Sequence, residues 1–132
     1  MTTEQGLFSF NAVAGEALSS YPFHFVKFNA TNNTVILIVS DTDIPCGVVQ
    51  NAADVLAAGD PVEVMVIGKT KLELGATLTS GALLQTGAVG GSVGHAIAAK
   101  STGYICGQIV DGGDTGDVGS ALINCANPWL KA

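Results

Sequence analysis

The chain has 132 residues, a net charge of −6, and only 12% charged against 48% hydrophobic residues. Five lysines and no arginine leave too few cations to neutralise phosphates, which argues against nucleic-acid binding and against adhesion to an anionic membrane surface. One domain is expected at this length, with about two-thirds of the unfolded surface buried on folding.

Met1 to Gly6 is polar, and the apolar residues after it are interrupted by Asn11, Gly15 and Glu16, so no signal-peptide core is expected. The run Val35 to Val39 is far too short to span a bilayer. Cys46, Cys106 and Cys125 are odd in number and widely spaced, which fits buried free thiols and synthesis in a reducing cytoplasm.

In chain order, Met1 to Gly6 reads as an arm, and Leu7-Phe8-Ser9-Phe10 as an edge strand or an anchor onto a neighbour. Tyr21 to Phe28 reads as a strand, with Phe23 and Phe25 on one face beside Lys27 and with His24, Val26 and Phe28 on the other. Asn29 to Asn33 has hairpin-turn composition. Thr34 to Val39, almost all β-branched or leucine, predicts a strand buried on both faces. Cys46 to Val49 is a short strand. Gln50 to Ala58 is the one helix candidate, with Asn51 as cap and Gly59 as stop. It falls below the ~12–15 residues an isolated helix needs, and an irregular turn fits the same residues.

The segment from Gly59 to Gly94 organises the chain. Val62, Val64 and Val66 alternate on one strand face, and Glu63, Met65 and Ile67 on the other. Glycines 59, 68, 75, 81 and 87 are expected where the chain reverses, since glycine alone takes positive φ without steric cost. Gly-Ala at 75, 81 and 87 has a six-residue spacing, but three copies are too few for a solenoid. Ser92 to Ala98, Tyr104 to Val110 and Val118 to Cys125 complete the strands. The pattern is all-β. It is divided into an N-terminal arm at 1–13, a core at 14–125 and a C-terminal tail at 126–132.

Candidates for chemistry are sparse. His24 and His95 are far apart, without the local spacing of a metal site, and His95, between Gly94 and Ala96 in a strand, reads as a half-buried or interface histidine. No base and orienting group accompany the cysteines, and the expectation is no catalytic residue, no cofactor and no bound metal. Asp111, Asp114 and Asp117 are the best cation candidate, since calcium takes oxygen ligands from glycine-containing loops, but a solvated turn fits them better. Phe8, Phe10, Phe23, Phe25, Trp129 and Leu130 are the candidates for a partner or subunit interface, because aromatic residues dominate interface energetics. For Phe23 and Phe25 a place in the core is the better reading, whereas Phe8, Phe10 and Trp129 lie in segments less obliged to join it.

The ordered features Ala58-Gly59-Asp60-Pro61-Val62, the valine strand, Leu72-Glu73-Leu74-Gly75-Ala76-Thr77-Leu78-Thr79-Ser80-Gly81, the glycine-rich strand and the acidic glycine turn form a recognisable series. Together with Gly15 to Val26, this pattern resembles the small capsid cement, or decoration, proteins of tailed bacteriophages, over roughly Ala14 to Ile123. The resemblance implies a β-barrel or β-tulip-like domain on the outside of the head. It also implies an oligomer, often a trimer, that bridges neighbouring major capsid proteins. The turn after Gly87 lacks the charged residues frequent there, and the aromatic ends look particular to this chain. A carbohydrate- or small-ligand-binding β-barrel is the rival reading, and a small hydrolase or isomerase ranks behind both.

Overall fold

The computed structural model describes residues 5–89, 92–100 and 103–130. The described chain is built from strands, in line with the all-β expectation: β1 (Gln5–Val13), β2 (Phe25–Asn29), β3 (Thr34–Leu37), β4 (Gly47–Val49), β5 (Pro61–Glu73), β6 (Leu83–Val89), β7 (Ser92–Ala98), β8 (Tyr104–Ile105), β9 (Gly107–Asp111), β10 (Val118–Asn124) and β11 (Trp129–Leu130).

β5 is the axis of the sheet. Its inward alternation is the one the valines predict: Val62, Val64, Val66 and Leu72 are buried, whereas Glu63 is exposed. Met65 departs from the pattern by being buried too. β1 pairs along Pro61 to Lys69. Val64 and Met65 also pair with β4, and Ile67 to Glu73 with β10. A strand has two edges, so β4 and β10 follow one another along the edge opposite β1. The sheet continues β10-β9-β6-β7 on one side and β4-β2-β3 on the other.

The last strand of this path, β7, returns to β2 and to the end of β5, giving a nearly closed barrel. Leu74 forms a parallel bridge to Ala96, and the Gly75 amide donates to the Ala96 carbonyl at 2.8 Å. Gly94, at φ 69°, passes so close to β2 that an added Cβ would lie 2.6 Å from the Phe25 carbonyl oxygen. Only glycine permits that approach. Two apolar clusters fill the interior, one holding Leu18, Val26, Val49, Val62 and Val64, the other Phe25, Leu72, Leu74, Leu84 and Ile109. Phe10 packs against both.

Several sequence-based expectations need correction. The edge strand read at 7–10 is present but extends over residues 5–13, so most of the expected arm is a nine-residue strand, because pairing with β5 satisfies backbone groups that water would otherwise have to solvate. Residues 1–4 of the expected arm lie outside the described residues. Gly68 and Gly87 do not reverse the chain; they lie inside β5 and β6. An added Cβ on Gly87 would meet Ile97 at 2.6 Å, so that glycine serves packing. The strand expected from Tyr21 starts at Phe25, since Phe23 turns the chain at φ 57°.

β3 ends at Leu37 and buries alternate residues, with Val39 at 63% exposure. The helix candidate at 50–58 shrinks to one 3-10 turn, Ala52–Asp54. Its expected cap, Asn51, instead accepts the Glu63 amide at 2.7 Å, and Asp60 accepts the amides of Leu56 and Ala57, both at 2.9 Å. These side-chain bonds supply what a helix of this length lacks. In the tail, Trp129–Leu130 pairs with β8, and residues 131–132 are outside the described set.

Two outcomes follow for stability. Val64→Asp places an unpaired carboxylate at a fully buried site and is expected to cost on the order of 4 kcal/mol or more, leaving no cooperative thermal transition by circular dichroism. Deleting residues 1–10, which an arm would tolerate, removes most of β1 and the Phe10 contact to both clusters. A loss of about 3 kcal/mol or more in urea titration is expected, against little change for deletion of 127–132.

Candidate functional site

The interface candidates separate cleanly by burial. Phe25 is fully buried and belongs to the core. Phe23 is half-buried against the core, with the Lys71 ammonium 5.7 Å from its ring centre. Phe8 (53% exposed), Trp129 and Leu130 are open to solvent, and Phe10 is half-buried. Among the other exposed apolar residues, two lie beside Phe8 at one concavity and carry no signal in the sequence: Phe28, 63% exposed near the end of β2, and Ile44 in the loop between β3 and β4. Phe28 was legible only as one face of a strand; which face is wet depends on what packs against β2.

Phe8, Phe10, Phe28, Ile44, Pro45 and Pro128 wall a groove of about 830 Å³, floored by Cys46, Val66 and Cys125. The groove opens where β5 passes from β4 to β10. There the Cys125 amide donates to the Val66 carbonyl at 2.9 Å, and the Cys46 amide to the Val26 carbonyl at 2.9 Å. Phe10 and Phe28 rings sit 5.9 Å apart with a 33° tilt. β1 carries register shifts around Phe8, which re-aim its side chain. Both thiols at the floor are held in the protonated form. Burial, with a contribution from Cys125, pushes the Cys46 thiol up to about 12. Hydrogen bonding to Cys106, and then burial, raise Cys125. All three thiols are free and buried, as their spacing suggested.

The polar rim of the groove is the Lys27–Asp43 pair at 2.9 Å. The Asp43 carboxylate also accepts the amides of Val39 and Ser40, both at 3.1 Å. Burial raises the Asp43 pKa, but the Lys27 hydrogen bond, the Val39 amide, the Lys27 charge and the Ser40 amide together outweigh it and hold the carboxyl below its ordinary value.

Elsewhere, the cation candidates do not converge. The Asp117 carboxylate accepts the Asp114 amide at 2.9 Å, and Asp111 accepts the Ser120 hydroxyl at 2.8 Å. These bonds build a turn. By contrast, the fold assembles His24, Glu73 and His95, which no local spacing connects. His24 Nε2 lies 3.1 Å and His95 Nε2 3.6 Å from the same Glu73 oxygen, and the two rings are 4.6 Å apart. His24 Nδ1 is 2.8 Å from the Pro22 carbonyl, and Tyr21 packs edge-on against the ring. Burial depresses the His95 pKa, with the His24 charge acting in the same direction and Glu73 opposing both. Local spacing carries no trace of this group because its members come from the approach to β2, the end of β5 and the middle of β7.

No protein-family model matches the sequence, and no curated protein matches it. Among solved structures, the fold is similar to the N base of head fiber gp8.5 of bacteriophage phi29, at a TM-score of 0.59 and 18% identity. The match covers 95% of this chain and 98% of that one, and it shows a shared fold over that span.

The Asp43 bonds give a testable pH dependence. A carboxyl with a depressed folded pKa contributes stability that is present above its unfolded value of about 3.9 and is lost as pH falls through the folded pKa. Asp43→Asn is therefore expected to lower stability at pH 7 by about 1–2 kcal/mol and to flatten the acid limb of the stability curve below about pH 4, measured by urea titration across pH.

Proposed function

We propose that this chain is a structural protein of a phage virion, a capsid decoration protein that binds the outer surface of the head and bridges neighbouring major capsid proteins. It acts as a homo-oligomer, in the trimeric form the sequence resemblance implies. It is made in the host cytoplasm and carries out no catalysis. The observation that carries this reading is the aromatic groove. A protein of this size rarely exposes Phe8, Phe28 and Ile44 around one concavity unless a partner covers them. Two independent likenesses point in the same direction: the glycine and apolar pattern of the sequence, and the fold of a phage head-fibre base.

The physics suits such a role. A clamp across subunit seams stabilises the assembled shell by mass action, by about 4 kcal/mol per site at a thousandfold excess over its dissociation constant. The apolar walls supply contact energy, and the surplus of acidic over basic residues keeps free copies apart and soluble.

A second reading is supported by the dimensions of the same groove. Its volume lies in the range of small-molecule sites, and Lys27 and Asp43 provide polar groups at its rim. A carbohydrate or other small ligand on a virion or cell surface would fit this description.

The deciding experiment is co-sedimentation of the protein with phage heads, with light scattering on the free protein. Saturable binding at a fixed ratio to the major capsid protein is expected, with shells that melt at higher temperature. Phe8→Ala combined with Phe28→Ala should weaken attachment by at least tenfold while the free protein melts within a few degrees of the parent, since both side chains are exposed. Absence of shell binding together with saturable binding on a glycan array would replace the decoration role with the ligand-binding one.

A further inference from the structure

The nearly closed barrel has a seam where β7 meets β2 and β5, and the chain is shaped there to bring three ligand-type side chains together. Phe23, immediately before His24, takes φ 57°, and Gly94, immediately before His95, takes φ 69°. Gly75 makes room for His95, since an added Cβ would stand 2.8 Å from that residue's own Cβ. The Glu73 amide donates to the Phe23 carbonyl at 3.2 Å, tying the end of β5 to the His24 turn.

The hydrogen-bond chemistry of this group is incomplete. The Pro22 carbonyl can only accept, so His24 Nδ1 carries a proton, and in the neutral ring Nε2 then presents its lone pair to a carboxylate oxygen 3.1 Å away. Two acceptors face one another unless a cation lies between them. A shared proton would satisfy that contact but not His95. The His95 Nε2 is 3.6 Å from the same oxygen, beyond hydrogen-bond length.

We propose that His24 Nε2, His95 Nε2 and a Glu73 carboxylate oxygen form a site for a divalent transition metal of the zinc class, which closes the barrel seam. With metal–nitrogen and metal–oxygen bonds of about 2.0–2.2 Å, tetrahedral ligand atoms stand roughly 3.3 Å apart, and the observed 3.1 and 3.6 Å bracket that spacing. Two imidazoles and one carboxylate suit zinc and exclude calcium and magnesium, which take mainly oxygen ligands. The Pro22 carbonyl fixes the His24 tautomer that leaves Nε2 free for the metal, the outer-shell arrangement usual for ligating histidines. His24 is buried, whereas the Glu73 side chain is 29% exposed, so the fourth position opens on the Glu73 side and takes water. The ion would staple the approach to β2, the end of β5 and β7 together, joining regions far apart in sequence.

The test uses the full chain stripped with a chelator and titrated with zinc against a chromogenic competitor. Uptake of one zinc per chain is expected, with a rise of about 5 °C or more in melting temperature and no rise with calcium. His95→Gln and Glu73→Gln should each weaken zinc uptake at least tenfold and abolish the thermal shift. Should either variant fail to fold, imidazole nitrogen resonances of the parent protein give the answer: zinc should move the Nε2 signals of both histidines. Absence of stoichiometric uptake, Nε2 signals unmoved by zinc, or uptake and shift retained in both folded variants would overturn the site.

Discussion

The architecture depends on a single strand that is paired along both edges. β5 runs for thirteen residues and takes β1 on one edge and β4 followed by β10 on the other. Every other part of the sheet is reached through these partners. Its buried valines join the two apolar clusters, and each buried valine contributes on the order of 1.5–3 kcal/mol relative to exposure. Mutual pairing explains why β1 belongs to the domain. An unpaired edge on so apolar a strand would leave backbone groups without partners and offer a template for aggregation.

The same arrangement creates both surface features of interest. The groove lies where β4 hands over to β10 along one edge of β5, so its floor is built from residues flanking those strands, Cys46 and Cys125, and from Val66. The His24–Glu73–His95 group lies at the far end of β5, where β7 returns to β2 and β5. One is an apolar concavity suited to a macromolecular partner or a small ligand. The other is a compact polar cluster at the closure of the barrel. They share no residues, so changes at one need not disturb the other.

Two of the left-handed backbone positions lie at that closure. Phe23 and Gly94 both adopt positive φ, and each directly precedes one of the histidines. A phenylalanine in this conformation carries a conformational cost that the surrounding bonds must offset, here the Phe23 amide to Val49 and the Glu73 amide to the Phe23 carbonyl, both at 3.2 Å. The tight approach of Gly94 to the Phe25 backbone is what places the two imidazole rings 4.6 Å apart.

The sequence by itself determined the class of the fold. Period-two alternation at Val62, Val64 and Val66, asparagine-rich turn chemistry at 29–33, and the strands at 92–98 and 118–124 are local signals, and local sterics and burial decide them. It also pointed to Phe25 as core and to Phe8 and Phe10 as less obliged to join it, but how far each is exposed is a property of what packs against the side chain. Tertiary structure alone decided the rest. Pairing with β5 extended the possible edge strand at 7–10 over the rest of the expected arm, contacts from Asn51 and Asp60 decided for an irregular turn over a helix at 50–58, and close packing kept Gly68 and Gly87 inside strands. The meeting of His24, Glu73 and His95 belongs to the same category: barrel closure brings together residues whose sequence separation carries no sign of contact.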